Sequence, residues 1–225
     1  MQIPVLYHNE AFLVCVKPVG VLSEESGMPE LFREQYGGSC YCVHRLDRNV
    51  GGLMVYGCSR EAAARLSAAI AEGRTEKEYL AVVEGRPDPE SGTMTDLLYH
   101  DAAANKSYIV KRERRGVKRA SLSYRTLETV DTEQGTLSLV RIRLHTGRSH
   151  QIRVQFASRK LPLAGDRRYG ASSGRCSIAL WSASLRFPDP VSGEERAFES
   201  SPPAKEVPWN IFSACLSGKG ESLEY

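Results

Sequence analysis

Short apolar runs separated by turn residues set the pattern of this chain. Phe12 to Val16 is a continuous apolar run of strand length, and it stops at Lys17-Pro18-Val19-Gly20, a turn sequence. Leu53 to Tyr56 forms a second such run after the Gly51-Gly52 pair. Ser59 then stands where a helix N-cap belongs, ahead of Ala63, Leu66 and Ile70 at helical spacing, with Gly73 as the terminator. Tyr79 to Val83 predicts another strand, followed by a Pro-rich turn from Arg86 to Gly92. Ser121 to Leu127 and Thr136 to Leu144 predict paired strands around an Asp131–Gly135 turn. Ser149 is placed to cap a helix reaching about Ser158, and Ile178 to Phe187 predicts a last strand before the turn at Pro188-Asp189-Pro190. Strands outnumber helices without regular βα alternation, so the expected class is α+β.

Composition narrows the picture only a little. Hydrophobic residues make up 41% of 225 and charged residues 25%, ordinary for a globular enzyme and unlike a disordered chain. No apolar run approaches the length of a membrane span, and no membrane partner is expected. The net charge of +3 is compatible with an RNA partner but does not establish one, since clustering matters more than the total. Met1-Gln2-Ile3-Pro4 lacks the basic and apolar regions of a leader, so the expectation is a cytoplasmic protein whose six cysteines are reduced. Cys40-Tyr41-Cys42 has the wrong spacing for a zinc knuckle, and no metal is assigned.

The most unusual stretch is His44-Arg45-Leu46-Asp47-Arg48-Asn49-Val50-Gly51-Gly52-Leu53. A carboxylate between two arginines, followed by glycines, suggests a loop in which cations hold Asp47 ionised and nucleophilic. A surface salt-bridge turn has the same local sequence. From Lys106 to Arg119 the chain carries seven cations against Glu113, which fits phosphate contact or a solvated hairpin equally well.

Several segments taken together resolve the first ambiguity, because the chain resembles the RluA-type family of pseudouridine synthases. The family's His-Arg-Leu-Asp, two residues, Thr-Ser-Gly-Leu corresponds to His44 through Leu53. Its Lys-Pro-x-Gly is Lys17, Pro18 and Gly20, and its Lys-x-Tyr-x-Ala strand is Lys77, Tyr79 and Ala81. Thr-Gly-Arg-Thr/Ser-His-Gln-Ile/Leu-Arg is Thr146 through Arg153, followed by Pro162 to Asp166, Tyr169-Gly170, and Leu185, Phe187 and Pro190. These segments keep the family order across nearly the whole chain. Val50-Gly51 departs from the common Thr-Ser, and Gly51 there is read as added freedom at a turn.

The resemblance implies a pseudouridine synthase fold: a mixed, mainly antiparallel sheet in two lobes with a central RNA-binding cleft. It implies one catalytic domain over residues 1–225, with no separate N-terminal RNA-binding module. The implied activity is isomerisation of specific uridines in structured rRNA or tRNA, without a cofactor, by a monomer. Asp47 falls on the catalytic aspartate, Tyr79 on the active-site tyrosine and Arg153 on the basic residue that pairs with the aspartate. Outside that context Tyr79 would read as core packing and Arg153 as a surface position on a short helix. Arg45 matches the arginine that enters the space left by a flipped nucleotide. Lys111, Arg112, Arg114, Arg115, Arg148 and His150 are the further residues expected at RNA, and His44 is expected to support the loop. A glycosidase would need a second carboxylate. The tempting one, Asp166, sits in Gly165-Asp166-Arg167-Arg168-Tyr169-Gly170 and reads as a turn.

Overall fold

The computed structural model describes residues 2–172 and 176–217. In chain order the strands are β1 (Val5–His8), β2 (Phe12–Lys17), β3 (Tyr41–Cys42), β4 (Gly51–Gly57), β5 (Glu76–Glu84) and β6 (Ser91–Asp101). They continue with β7 (Lys106–Val110), β8 (Val117–Thr132), β9 (Gly135–Leu144), β10 (Leu180–Pro188) and β11 (Glu195–Glu199). The α-helices are α1 (Met28–Tyr36), α2 (Arg60–Ala71), α3 (Gln151–Ala157) and α4 (Ser213–Ser217). The fold is thus a sheet-dominated α+β arrangement, as the strand-rich pattern predicts.

The chain divides into two compact units, with boundaries inside β5 after Tyr79 and inside β9 after Ile142. The first holds residues 1–79, 143–145 and 180–200. Its strands lie in the order β1-β2-β4-β10, with β11 on β10 and β3 on β4. All these pairings are antiparallel except β4 with β10. One face packs Phe12, Val14, Leu53, Val55, Leu185 and Phe187 against Leu66 of α2, and the alternate residues of β2 and β4 are buried as well, which explains why these strands are written as unbroken apolar runs. The Ser59 hydroxyl accepts the Ala62 N–H at 3.1 Å, so the predicted N-cap is the real one.

In the second unit the order is β5-β9-β8-β6-β7. Leu98 of β6, Ala120 of β8 and Val154 of α3 form a buried cluster, joined by Ile109 and Tyr169. The start of α3 differs from expectation. His150, not Ser149, precedes the helix, in the left-handed region at φ +55° and with no side-chain cap. The side chain of Gln151 closes the turn instead, its Oε1 accepting the Thr146 hydroxyl at 2.7 Å and the Arg148 N–H at 3.0 Å.

Candidate catalytic site

Two loops of the first unit hold each other and fix the backbone at Asp47. One follows β2 and the other precedes β4. Gly20 donates its N–H to the Arg48 carbonyl at 2.8 Å, and Arg48 Nε returns a bond to the Gly20 carbonyl at 2.9 Å. The buried Ser23 hydroxyl donates to the Leu46 carbonyl at 2.9 Å and accepts the Leu46 N–H at 3.0 Å. Tyr56 donates its hydroxyl to the Ser23 carbonyl at 3.0 Å, which holds the serine in place from β4. Val50 N–H closes the turn onto the Asp47 carbonyl at 2.9 Å. A carboxylate on so constrained a loop loses little further freedom when it engages a substrate.

Lys17 ties both loops from inside. Its side chain is fully buried, and Nζ donates to the carbonyls of Pro18 at 2.9 Å, Val21 at 2.7 Å and Arg48 at 3.2 Å. Burial lowers its pKa to about 8, and the neighbouring Asp47 charge opposes that drop. A lysine read from sequence as the start of a turn is therefore a cation beside the predicted catalytic carboxylate. The two flanking arginines turn elsewhere: Arg45 pairs with Glu24 at 3.2 Å on the surface, while Arg48 serves the Gly20 carbonyl. Arg45 and Arg48, two residues before Asp47 and one after it, thus each hold a group of the loops around it.

Tyr79 lies in β5, buried at 6% exposure. Burial first, and then the Asp47 charge, push its phenol well above its ordinary pKa, against a hydrogen bond with Ser182 of β10. Tyr79 therefore stays a neutral phenol at physiological pH. Lys77 stands two residues earlier on the same face of β5, and burial lowers its ammonium to about 8. His44 accepts the Val55 N–H through Nε2 at 3.1 Å, which fixes a neutral ring with the proton on Nδ1. Burial, then Lys77, hold its pKa well below 6.5. The supporting role expected of His44 matches this geometry.

Arg153 belongs to the second unit, where it is buried in α3. Its Nε donates to Asp166 Oδ2 at 2.6 Å and Nη2 to Oδ1 at 2.9 Å, a bidentate fork in the interior. Asp166 does sit in a turn, as expected, but it is also the buried partner of this guanidinium, a pairing that no local pattern announced. The Tyr169 ring lies 5.1 Å from the Arg153 guanidinium carbon, and its hydroxyl takes the Ser107 N–H at 2.8 Å and meets His150 Nδ1 at 2.9 Å. His150, expected at RNA, is thus an interior residue that braces Tyr169. Arg148 donates Nε to the Arg119 carbonyl at 3.0 Å, and Lys111, Arg112, Arg114 and Arg115 lie exposed between β7 and β8. Among the described residues no group of His, Cys, Asp and Glu is placed to hold a metal ion.

The architecture is that of a pseudouridylate synthase. A human structure, RNA Pseudouridylate Synthase Domain Containing 1, superposes with a TM-score of 0.78 at 24% identity, over 90% of this chain and 84% of that one. Residues 11–158 match the family described as RNA pseudouridylate synthase, and the chain belongs to that family, in its RluA-type branch. An uncharacterized RNA pseudouridine synthase of Aquifex aeolicus is 33% identical over 172 residues, 72% of this chain and 52% of the relative. The chain therefore spans about half the length of that relative. The tRNA pseudouridine synthase C of Vibrio parahaemolyticus is 26% identical over 226 residues, 89% of this chain and 91% of that protein.

Proposed function

We propose that this protein isomerises uridines in structured RNA to pseudouridine, with Asp47 as the catalytic carboxylate. The observation that carries the reading is the Asp47 loop itself: a family motif whose carboxylate sits on a backbone clamped by Ser23, Gly20 and the buried ammonium of Lys17. The reaction breaks the bond from ribose C1′ to uracil N1, turns the base and joins C1′ to C5. A proton leaves C5 and one arrives at N1, so no electrons are exchanged and no cofactor is needed.

Asp47 acts at the ribose or base as the glycosidic bond breaks. Tyr79, held neutral, packs against the uracil and offers its hydroxyl for orientation rather than a phenolate base. Arg153 is the third catalytic residue on the strength of its place in the Thr146–Arg153 signature, and Asp166 fixes its rotamer. A paired uridine must be flipped out at a cost of roughly a few kcal/mol. Arg45, exposed beside the Asp47 loop, is suited to fill the vacated stack with its planar guanidinium. Lys111, Arg112, Arg114, Arg115 and Arg148 neutralise phosphates. The substrate class is a stem-loop of transfer or ribosomal RNA, and residues 1–225 act as one catalytic domain, in the cytoplasm and as a monomer.

Pseudouridine mapping across total cellular RNA, with and without this protein, tests the reading and names the target. At least one site should vanish in its absence and return with the wild type but not with Asp47→Ala. Restoration by Asp47→Ala at the wild-type rate would refute the assignment.

A further inference from the structure

The sequence shows a single tyrosine, Tyr108, within the basic segment, too little for a stacking surface. The sheet adds a second. Tyr99 of β6 and Tyr108 of β7 are register partners, so their side chains leave the sheet on the same face. Leu98, Ile109 and Ala120 mark the opposite face, which packs under Val154 of α3. On the tyrosine face Tyr108 is 42% exposed.

Cations are built onto this face rather than scattered near it. β7 and β8 flank β6 on opposite sides, so the chain from Lys111 to Gly116 passes from one edge of β6 to the other. It ends in a tight turn, with Val117 N–H on the Arg114 carbonyl at 3.0 Å and Gly116 at φ +85°, a conformation that favours glycine. That turn lays the Arg114 guanidinium over the Tyr99 ring, 4.8 Å from its centre. Lys106 Nζ, at the β7 edge, stands 5.6 Å from the Tyr108 centre and 5.5 Å from that of Tyr169. Further along β6 and β8 the same face carries the Leu97–Arg119 pair and then small hydroxyl residues, Thr95 with Ser121 at 3.4 Å and Thr93 with Ser123 at 3.1 Å. The acids nearby are Asp101, whose Oδ1 caps the N–H groups of Ala103 and Ala104, and Glu113.

We propose that the outer face of β6, β7 and β8 is a stacking platform for unpaired nucleotides of the RNA substrate. Tyr108 and the Tyr99–Arg114 stack supply its planes, while Lys106, Arg112, Arg115 and Arg119 meet the phosphates. Every base has a π-face, so flat side chains among cations suit unstacked nucleotides of any sequence, whereas a duplex hides its base faces. A purely electrostatic surface would need no exposed ring. The platform rests on the reading that the ligand is RNA, and it extends that reading to the loop of the stem-loop.

The test is fluorescence anisotropy with a labelled RNA stem-loop and a fully paired duplex of matched length, across a salt series. Tyr108→Ala and Tyr99→Ala should each weaken stem-loop binding by at least about fivefold, leaving the salt slope and duplex affinity unchanged. Tyr108→Phe, which keeps the ring, should bind as the wild type does. Tyr108 lies half-exposed at the sheet edge, so its variant decides the matter even where Tyr99→Ala perturbs folding. Wild-type affinity in Tyr108→Ala, or equal losses for stem-loop and duplex, overturns the platform. Pseudouridine formation with full affinity in Tyr108→Ala sinks the platform alone. Ring-dependent stem-loop binding without turnover sinks the enzymatic reading alone.

Discussion

The indole of Trp181 packs so closely on Gly51 that a β-carbon there would stand 2.4 Å from its Cζ3 and 2.9 Å from its Cε3. The two residues are register partners in the parallel pairing of β4 with β10. The indole N–H is anchored on the Ser200 carbonyl at 3.1 Å, so the ring is not free to retreat. The backbone freedom expected of Gly51 is in fact needed at Gly52, at φ +115°. What Gly51 provides is space. The usual family serine is missing because an aromatic ring occupies its volume.

Gly51→Ser should therefore cost about 1–3 kcal/mol as an overpacking change, although it restores the family residue. Paired with Trp181→Leu, which opens the space, the same serine should cost much less. Urea unfolding of both single variants and the double variant measures the coupling, which should reach about 1 kcal/mol or more. Strictly additive losses would show that the indole does not exclude the serine.

Features carried by local pattern were legible in the sequence, and features made by chain crossing were not. Ser59 and Gly73 bracket α2 because capping is decided within a few residues. Phe12–Lys17 and Gly51–Gly57 declared themselves through apolar runs that both sheet faces demand. The start of β6 has no strand signature because its outward positions there are Thr93 and Thr95, which read as polar loop until β8 is beside them. The Asp47 motif was visible, but not the buried Lys17 ammonium that braces its loop, since Lys17 reaches the Arg48 carbonyl over 31 residues of sequence. Asp166 likewise gave no local sign of its buried pairing with Arg153, a relation that exists only in space.

Turnover should fall as pH rises through about 8, the value to which burial lowers the Lys17 ammonium. Below it, three N–H groups satisfy three carbonyls and a positive charge stands by Asp47. Above it, the neutral amine has only two hydrogens for those carbonyls, and one positive charge near Asp47 is lost. His44 contributes no limb near pH 6, being neutral throughout the working range. A pH profile of kcat should thus show an alkaline limb that Lys17→Met removes, with a lower plateau. Lys77 titrates in the same region, so a limb that persists in Lys17→Met assigns it there instead.

Asp166→Asn should destabilise the protein by about 3–5 kcal/mol, because it breaks the buried bidentate ion pair on the Arg153 guanidinium. Replacing both members, Arg153→Met with Asp166→Leu, should recover most of that loss, since an apolar pair of similar volume needs no solvation. The recovered protein should still form no pseudouridine. Urea unfolding and turnover, measured on the same variants, separate the two roles of Arg153. Stability and activity returning together would remove Arg153 from the catalytic set.

Neutralising Arg112, Arg114 and Arg115 with glutamine should weaken RNA binding and flatten its salt dependence. Each phosphate contact releases counterions, and for single-stranded RNA the slope of log K against log salt changes by about 0.7 per contact. Three lost contacts would thus lower the slope by up to about 2, and a smaller change counts how many of the three touch phosphate. The Arg114 charge also lies on Tyr99, so that variant should add a loss of stem-loop affinity beyond the common slope effect. Anisotropy titrations from low to moderate salt read both quantities. An unchanged slope together with unchanged affinity would leave the Lys111–Gly116 connection as a solvated crossing between two strands, without a part in binding.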